Sequence, residues 1–418
     1  MRDSGTETDP VDGENVTVVY GAAELVVGPD DETGIVVVED AAFAAVDGRV
    51  VAVGSTEDVL TEYPLEDADT SIDATGKTVL PGFVDPHTHA LFAGDRSDEF
   101  VAKLRGATYE EILAEGGGIL RTVDAVREAS DDELVSNLTD HLDAMLAHGT
   151  TTVEVKTGYG LDTETELRML DAIAAAGDEH PLDVIPTFMG AHAVPRGMDT
   201  EAYVDDVISD QLPAVAEQGI AEFCDVFCER GVFDADQSRR ILEAGREYGL
   251  TPKIHADEFA AIGGADVAAA VGAVSADHLL HTDDSGRETL VDAGVTPVML
   301  PGTAFGLGAE YADARAFLDA GYEVALATDF NPNCFARSMG FVATLASVGM
   351  RMTPHEAIRG ITSAAANALG RPDGTGTLTP GSLADAVVLD VPTATHLSYR
   401  FDTNPVSTVL KSGVVVHE

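Results

Sequence analysis

The sequence predicts an α/β protein, a (β/α)8 TIM-like barrel carrying a small β-sandwich domain built from both termini. Three observations lead there. Short apolar strands alternate with helical segments through the middle of the chain, eight such strands can be counted, and both ends are rich in strands but poor in helix. At 418 residues the chain is long enough for a barrel plus a smaller unit.

The amino-terminal β segments fall at 16–20, 35–38, 41–46 and 49–53, with an Asp47-Gly48 pair that signals a hairpin between the last two. Segments 386–391, 408–411 and 414–417 repeat this character at the other end. Neither flank has enough strands to close a core alone, so residues 1–80 and 381–418 are expected to form one sandwich around a barrel of residues 81–380. Within the barrel the candidate strands are 83–85, 151–155, 183–188, 223–226, 251–254, 273–276, 296–299 and 324–327. Helical periodicity marks 131–147, 164–177, 202–219, 234–248, 288–292, 312–319 and 354–369. Eight strands suit a closed barrel better than an open sheet.

Composition narrows the function classes. With 24 basic against 73 acidic side chains the formal charge is −49, which excludes a nucleic-acid partner because phosphate backbones need a basic face. Carboxylates are spread along the whole chain while lysine is confined to Lys77, Lys103, Lys156, Lys253 and Lys411, the pattern of a protein adapted to high salt. Apolar residues make up 45%, too many for a disordered acidic chain, and no apolar run reaches the roughly 20 residues of a membrane span. The start of the sequence does not resemble a secretory signal, so a cytoplasmic location is expected. Cys224, Cys228 and Cys334 are too few for a disulfide framework.

The sharpest local feature is Pro81-Gly82-Phe83-Val84-Asp85-Pro86-His87-Thr88-His89, a strand ending in a His-x-His pair. Alternation puts His87 and His89 on one face at the carboxyl end of a barrel strand, where barrel active sites are built. A pair of hydrogen-bonded core histidines is the bland alternative. It weakens because His192, His255, His278 and Asp329 each follow a later strand, so that all would converge on one rim around a metal such as zinc or iron. His141, His148, His180, His355, His396 and His417 lie in helices, loops or the last strand and read as structural or surface residues. Gly116-Gly117-Gly118 lacks a following Lys-Ser/Thr and reads as a mobile loop rather than a phosphate loop.

The His87-Thr88-His89 strand, His255-Ala256-Asp257-Glu258, His278 and Thr328-Asp329 resemble the metal-dependent amidohydrolase superfamily. Asp85 to Arg96, Lys156-Thr157-Gly158-Tyr159-Gly160, Gly190-Ala191-His192-Ala193-Val194-Pro195, Ser275-Ala276-Asp277-His278-Leu279-Leu280 and Asp329-Phe330-Asn331-Pro332-Asn333 narrow the likeness to its ring-opening branch in histidine degradation, over nearly the whole chain. That resemblance implies hydrolysis of the cyclic amide of 4-imidazolone-5-propanoate, a small anionic heterocycle, by a homodimer with one Zn or Fe ion per subunit. It implies His87, His89, His255 and Asp329 as metal ligands and Glu258, His278 and Asp329 as catalytic groups. Which of Glu258 and His278 serves as acid and which as base stays open. Arg96, Tyr159, His192, Glu258, Asn331, Asn333 and Cys334 are implied to bind substrate or product. On its own Arg96 reads equally as an ion pair with Asp95, Asp98 or Glu99, and Asn333-Cys334 stands where the branch has glycine followed by serine or threonine. Lys156 raises the alternative of a carboxylated lysine bridging two metals; the His-x-x-Glu arrangement favours one. A related deaminase or cyclic-amide hydrolase, and a non-catalytic barrel without metal, are the competing readings.

Overall fold

In the computed structural model, which describes residues 15–31, 34–107, 111–112, 116–371 and 373–418, the amino-terminal strands pair as the hairpin signal requires. β1 (Val16–Asp30), β2 (Gly34–Val46) and β3 (Arg49–Ser55) are antiparallel neighbours, and Val46 faces Arg49 across the turn. Asp47 and Gly48 both have positive φ, 48° and 79°, as the tight turn between right-twisted strands demands. The segments expected at 35–38 and 41–46 are one continuous strand, which carries Asp40 at φ 48° between them.

The short β4 (Thr70–Asp73) and β5 (Thr78–Pro81) run parallel to β1. Beside β5 the carboxyl-terminal strands add in antiparallel order, β14 (Ala386–Leu389), β15 (Val406–Lys411) and β16 (Val414–His417). The result is the expected domain from both termini, and one of its apolar clusters draws Val19 and Phe43 from the front of the chain and Val388 and Leu410 from the back.

Between these flanks eight strands pair in sequence order and all in parallel: β6 (Phe83–Asp85), β7 (Thr150–Lys156), β8 (Asp183–Ala191), β9 (Phe223–Cys228), β10 (Thr251–Ala256), β11 (Ser275–His278), β12 (Thr296–Met299) and β13 (Ala325–Leu326). The ring closes just beyond the first and last strands. Asp329 N donates to His87 O (3.2 Å), His89 N donates to Phe330 O (2.9 Å), and Thr328 donates from N and Oγ1 to the Asp85 carboxylate (3.1 and 2.6 Å). The closure seam therefore runs through two predicted metal-binding segments.

Helices cover the barrel, and several begin with reciprocal side-chain caps, as Ser130 with Glu133 and Asp234 with Gln237. The helix expected over 354–369 is two, Pro354–Gly360 and Ser363–Asn367. It breaks because Ile361 gives its carbonyl to Val84 N of β6 (2.9 Å) while Thr362 Oγ1 turns back to Ile358 O (2.6 Å). Helices Ser97–Leu104, Ile119–Glu128, Gly264–Val271, Pro301–Leu307 and Met339–Gly349 were not expected. No helix among the described residues is long and apolar enough to cross a membrane.

Candidate metal centre and active site

The strand ends deliver their side chains to one place. His87 and His89 lie in the extended run after β6, and the intervening Thr88 points the other way, donating from Oγ1 to Glu154 O (2.6 Å). The ring centroids of His87 and His255 are 4.4 Å apart, those of His255 and His278 5.2 Å, and those of His87 and His89 5.4 Å. Asp329 Oδ1 is 3.6 Å from His87 Nε2 and 3.7 Å from His89 Nε2. His87, His89 and Asp329 offer donor atoms within 4.8 Å of one another, and so do His87, His255 and His278.

The hydrogen bonds behind this cluster set which nitrogen faces inward. His87 Nδ1 donates to Asp277 Oδ2 (2.6 Å) and His255 Nδ1 to Asp225 Oδ1 (3.1 Å), so each presents the lone pair of Nε2 to the centre. His255 Nε2 lies 3.3 Å from His89 Nε2, and His87 Nε2 is fully buried without a hydrogen-bond partner. Burial holds His87, His89 and His278 well below the usual imidazole pKa. Unpaired, neutral, inward-facing nitrogens beside a carboxylate are what a divalent cation requires, and the donor set fits a metal.

Outside the histidines lies a buried charge network. Lys156 Nζ donates to Glu154 Oε1 (2.6 Å) and Asp225 Oδ2 (2.7 Å), all three fully buried. Burial alone would raise Asp225, but Lys156 and His255 hold it well below the ordinary carboxylate range. Lys253 Nζ donates to Pro86 O (2.9 Å) and stands 3.9 Å from Asp277. Lys156 is thus an ammonium engaged by two carboxylates, which favours the single-metal alternative over a bridging carbamate.

A cavity of about 590 Å³ opens over the centre, and Arg96, Tyr159, His192, Glu258, Asn331 and Asn333 all reach its wall. His192 stacks on His89 at 4.7 Å and donates from Nδ1 to Gly158 O (3.1 Å). Burial depresses its pKa to about 3, so the imidazole is neutral with Nε2 as acceptor. Tyr159 is buried, its phenol pKa pushed up, and its loop is held by Glu166, which accepts from Gly158, Gly160 and Leu161 N (3.0, 2.8 and 2.8 Å). Glu258 lies 3.7 Å from His278 Nε2; burial, then the Asp329 and Glu229 carboxylates, raise its pKa well above the ordinary value. Asn331 donates from Nδ2 to Asp329 O (2.7 Å) and Oδ1 (3.1 Å), and Thr303 Oγ1 donates to Asp329 Oδ2. Cys334 is buried and off the cavity wall, its thiol directed at Thr328 O (3.6 Å). Arg96 combines both of its readings, lining the cavity while donating from Nε (3.0 Å) and Nη2 (2.8 Å) to Glu99 Oε2. In the 116–118 loop Gly118 N donates to Glu99 Oε1 (3.0 Å); residues 113–115 before it lie outside the described residues.

Backbone strain concentrates here too. Asp257 (φ 53°), His278 (φ 79°), Leu279 (φ 57°) and Asp329 (φ 49°) adopt the left-handed region at strand ends, a conformation that non-glycine residues keep only where surroundings impose it. Asp225, Asp277, Glu154, Lys253 and Glu166 also shape the site and were not among the residues expected there. A signal existed for Asp225 and Asp277, since an acid inside an otherwise apolar barrel strand must have a buried partner.

Residues 78–416 match the Amidohydrolase family. Imidazolonepropionase of Haloarcula marismortui is 64% identical over 96% of this chain and 95% of its own length, and that of Geobacillus kaustophilus is 48% identical over 94% of each. Among solved structures, atrazine chlorohydrolase TrzN from Arthrobacter aurescens TC1, complexed with zinc, superposes with a TM-score of 0.75 at 19% identity, covering 96% of this chain and 95% of that one. An adenosine deaminase from Xanthomonas campestris with bound zinc gives 0.72 at 17% identity over 96% and 92%. These last two likenesses establish the fold, and the relatives at higher identity establish membership: the chain belongs to the imidazolonepropionase family of the amidohydrolases.

Proposed function

We propose that the chain hydrolyses the cyclic amide of 4-imidazolone-5-propanoate to N-formimidoyl-L-glutamate, with one Zn or Fe ion held by His87, His89, His255 and Asp329. The observation that carries this is the convergence of His87, His89 and Asp329, with His255 Nε2 3.3 Å from His89 Nε2, beneath a cavity whose wall holds Glu258, His278 and a fixed arginine. Bound there, the ion supplies Lewis acidity and acidifies water near neutral pH.

The protein groups divide the remaining work. His278, kept neutral by burial, accepts the proton of the attacking water, and Glu258, kept protonated, donates to the ring nitrogen as the amide C–N bond breaks. Asp329 is held in place by Thr303 and Asn331, and so keeps its orientation through the reaction. His192 Nε2 accepts from a ring N–H, Tyr159 donates its phenol proton, and Arg96 faces the propionate.

The test is an assay of metal-loaded protein in high salt that follows ultraviolet loss of imidazolonepropionate, with elemental analysis of the same sample. Turnover with about one metal per chain is expected; a fully loaded sample that leaves the substrate intact would sink the reading. Arg96→Ala separates it from a deaminase on a heterocycle lacking the carboxylate, because only a propionate substrate loses affinity, seen as a raised KM.

A further inference from the structure

Arg96 is the N-cap of the helix Ser97–Leu104, and positions 96, 99 and 103 are spaced i, i+3 and i+7 along one face. That face looks into the cavity: Arg96 and Lys103 line it, and Glu99 is buried beside them. Glu99 takes two of the three nitrogens of Arg96, accepts Gly118 N on its other oxygen, and lies 3.8 Å from Arg121. Arg96 is thereby fixed in place and largely neutralised, with Nη1 left outside the Glu99 pairing. Glu229 and Asp329 place further carboxylates on the same cavity. A guanidinium so compensated offers an entering carboxylate only its unpaired edge.

Lys103 differs from Arg96 in its partner. Its ammonium is held by the side-chain oxygen of Asn333, a neutral acceptor on the loop after β13, and among the described residues it forms no ion pair, Glu99 acting on it only from beyond contact. Partial burial and then the repulsion of the nearby Arg96 lower its pKa, while Glu99 pulls it the other way. An anion placed between them relieves that repulsion.

We propose that Lys103 is a second carboxylate-binding cation of the active site: hung over the cavity by Asn333, it takes the substrate's propionate together with the open edge of Arg96. This rests on the substrate reading above. It makes the Lys103–Asn333 contact a bridge between the first and last barrel loops, with the bound carboxylate beneath it.

The experiment compares wild type, Lys103→Met, Lys103→Arg and Arg230→Met as full-length metal-loaded proteins in about 1 M KCl, where screening is strong but short contacts persist. Lys103→Met is expected to raise KM for imidazolonepropionate about 10- to 100-fold with kcat within about twofold, the size of a lost charged hydrogen bond. The inhibition constant of glutarate, a substrate-sized dicarboxylate, should rise in parallel. Lys103→Arg should recover most of the affinity, and Arg230→Met, which removes another lining cation beside Glu229, should leave KM unchanged. If wild type turns the substrate over but Lys103→Met keeps its KM, or loses kcat and thermal stability with KM intact, the inference falls alone. A KM rise in Arg230→Met and not in Lys103→Met also overturns it. Absence of turnover by wild type removes the substrate reading and this inference together.

Discussion

Glu258 illustrates how one side chain can be tuned by position. Its pKa is raised well above 4.5 by burial and by two neighbouring carboxylates, so it keeps its proton through the range in which a free glutamic acid ionises. The acid form is lost only as pH rises through that elevated value. A proton donor with this profile gives a kcat/KM that falls on the alkaline side, and Glu258→Gln should lower kcat by about 10²- to 10⁴-fold and erase that limb. Activity that instead climbs with pH, through a limb lost in Glu258→Gln, would assign the residue as base. The carboxylates behind the ligands act differently, through orientation. Asp225→Asn leaves His255 without its anionic acceptor and should weaken metal binding about 10- to 100-fold in a chelator-competition titration. Lys156→Met, which strands Glu154 and Asp225 as buried charges, should cost about 3–5 kcal/mol in denaturant unfolding.

At the scale of elements, the strand ends were readable and the links between them were not. Alternation placed His87 and His89 on one face, and the position of His255, His278 and Asp329 after predicted strands brought them to the same rim, because a closed barrel leaves those ends nowhere else to go. The pairing of His87 with Asp277 and of His255 with Asp225 spans 190 and 30 residues and follows from barrel register, to which local spacing is blind. Gly264–Val271 and Met339–Gly349 escaped notice because they carry almost no polar face, and so lack the period that marks a surface helix. Glu166, inside a correctly expected helix, gave no sign that it reaches back to hold the Tyr159 loop. Glu166→Gln keeps the acceptor for Gly160 and Leu161 N but sets an amide against Gly158 N, and should raise KM several-fold while leaving the metal content intact. The same variant tests a pH effect. Burial raises the Glu166 pKa, so the folded protein retains a proton that the unfolded chain releases, and this group's contribution to stability declines as pH climbs from about 4.5 toward the elevated value. The decline should flatten in Glu166→Gln, measured as Tm against pH at fixed salt.

For the whole molecule the governing quantity is charge. Of five lysines, Lys156 and Lys253 are fully buried and the Lys411 side chain is 11% exposed between Asp183 and Asp385, so arginine supplies most of the surface cations facing a −49 total. Exposed pairs such as Arg239 with Asp236 and Glu243, and Arg240 with Glu201 and Asp205, already give one guanidinium to two carboxylates, and each such pair contributes at most about 1 kcal/mol. Surplus acids therefore repel across the surface wherever the Debye length spans their separation, about 10 Å at 0.1 M salt and about 3 Å at 1 M. The fold should accordingly gain stability between those concentrations, seen as a Tm that climbs with KCl, and the anionic substrate should be admitted more readily, seen as a kcat/KM that climbs with it. Replacing KCl by an uncharged osmolyte of equal osmolality separates screening from surface exclusion: the osmolyte raises Tm only modestly and leaves kcat/KM flat. A Tm and a kcat/KM both highest in dilute buffer would mean that the acidic surface is balanced by something other than mobile cations.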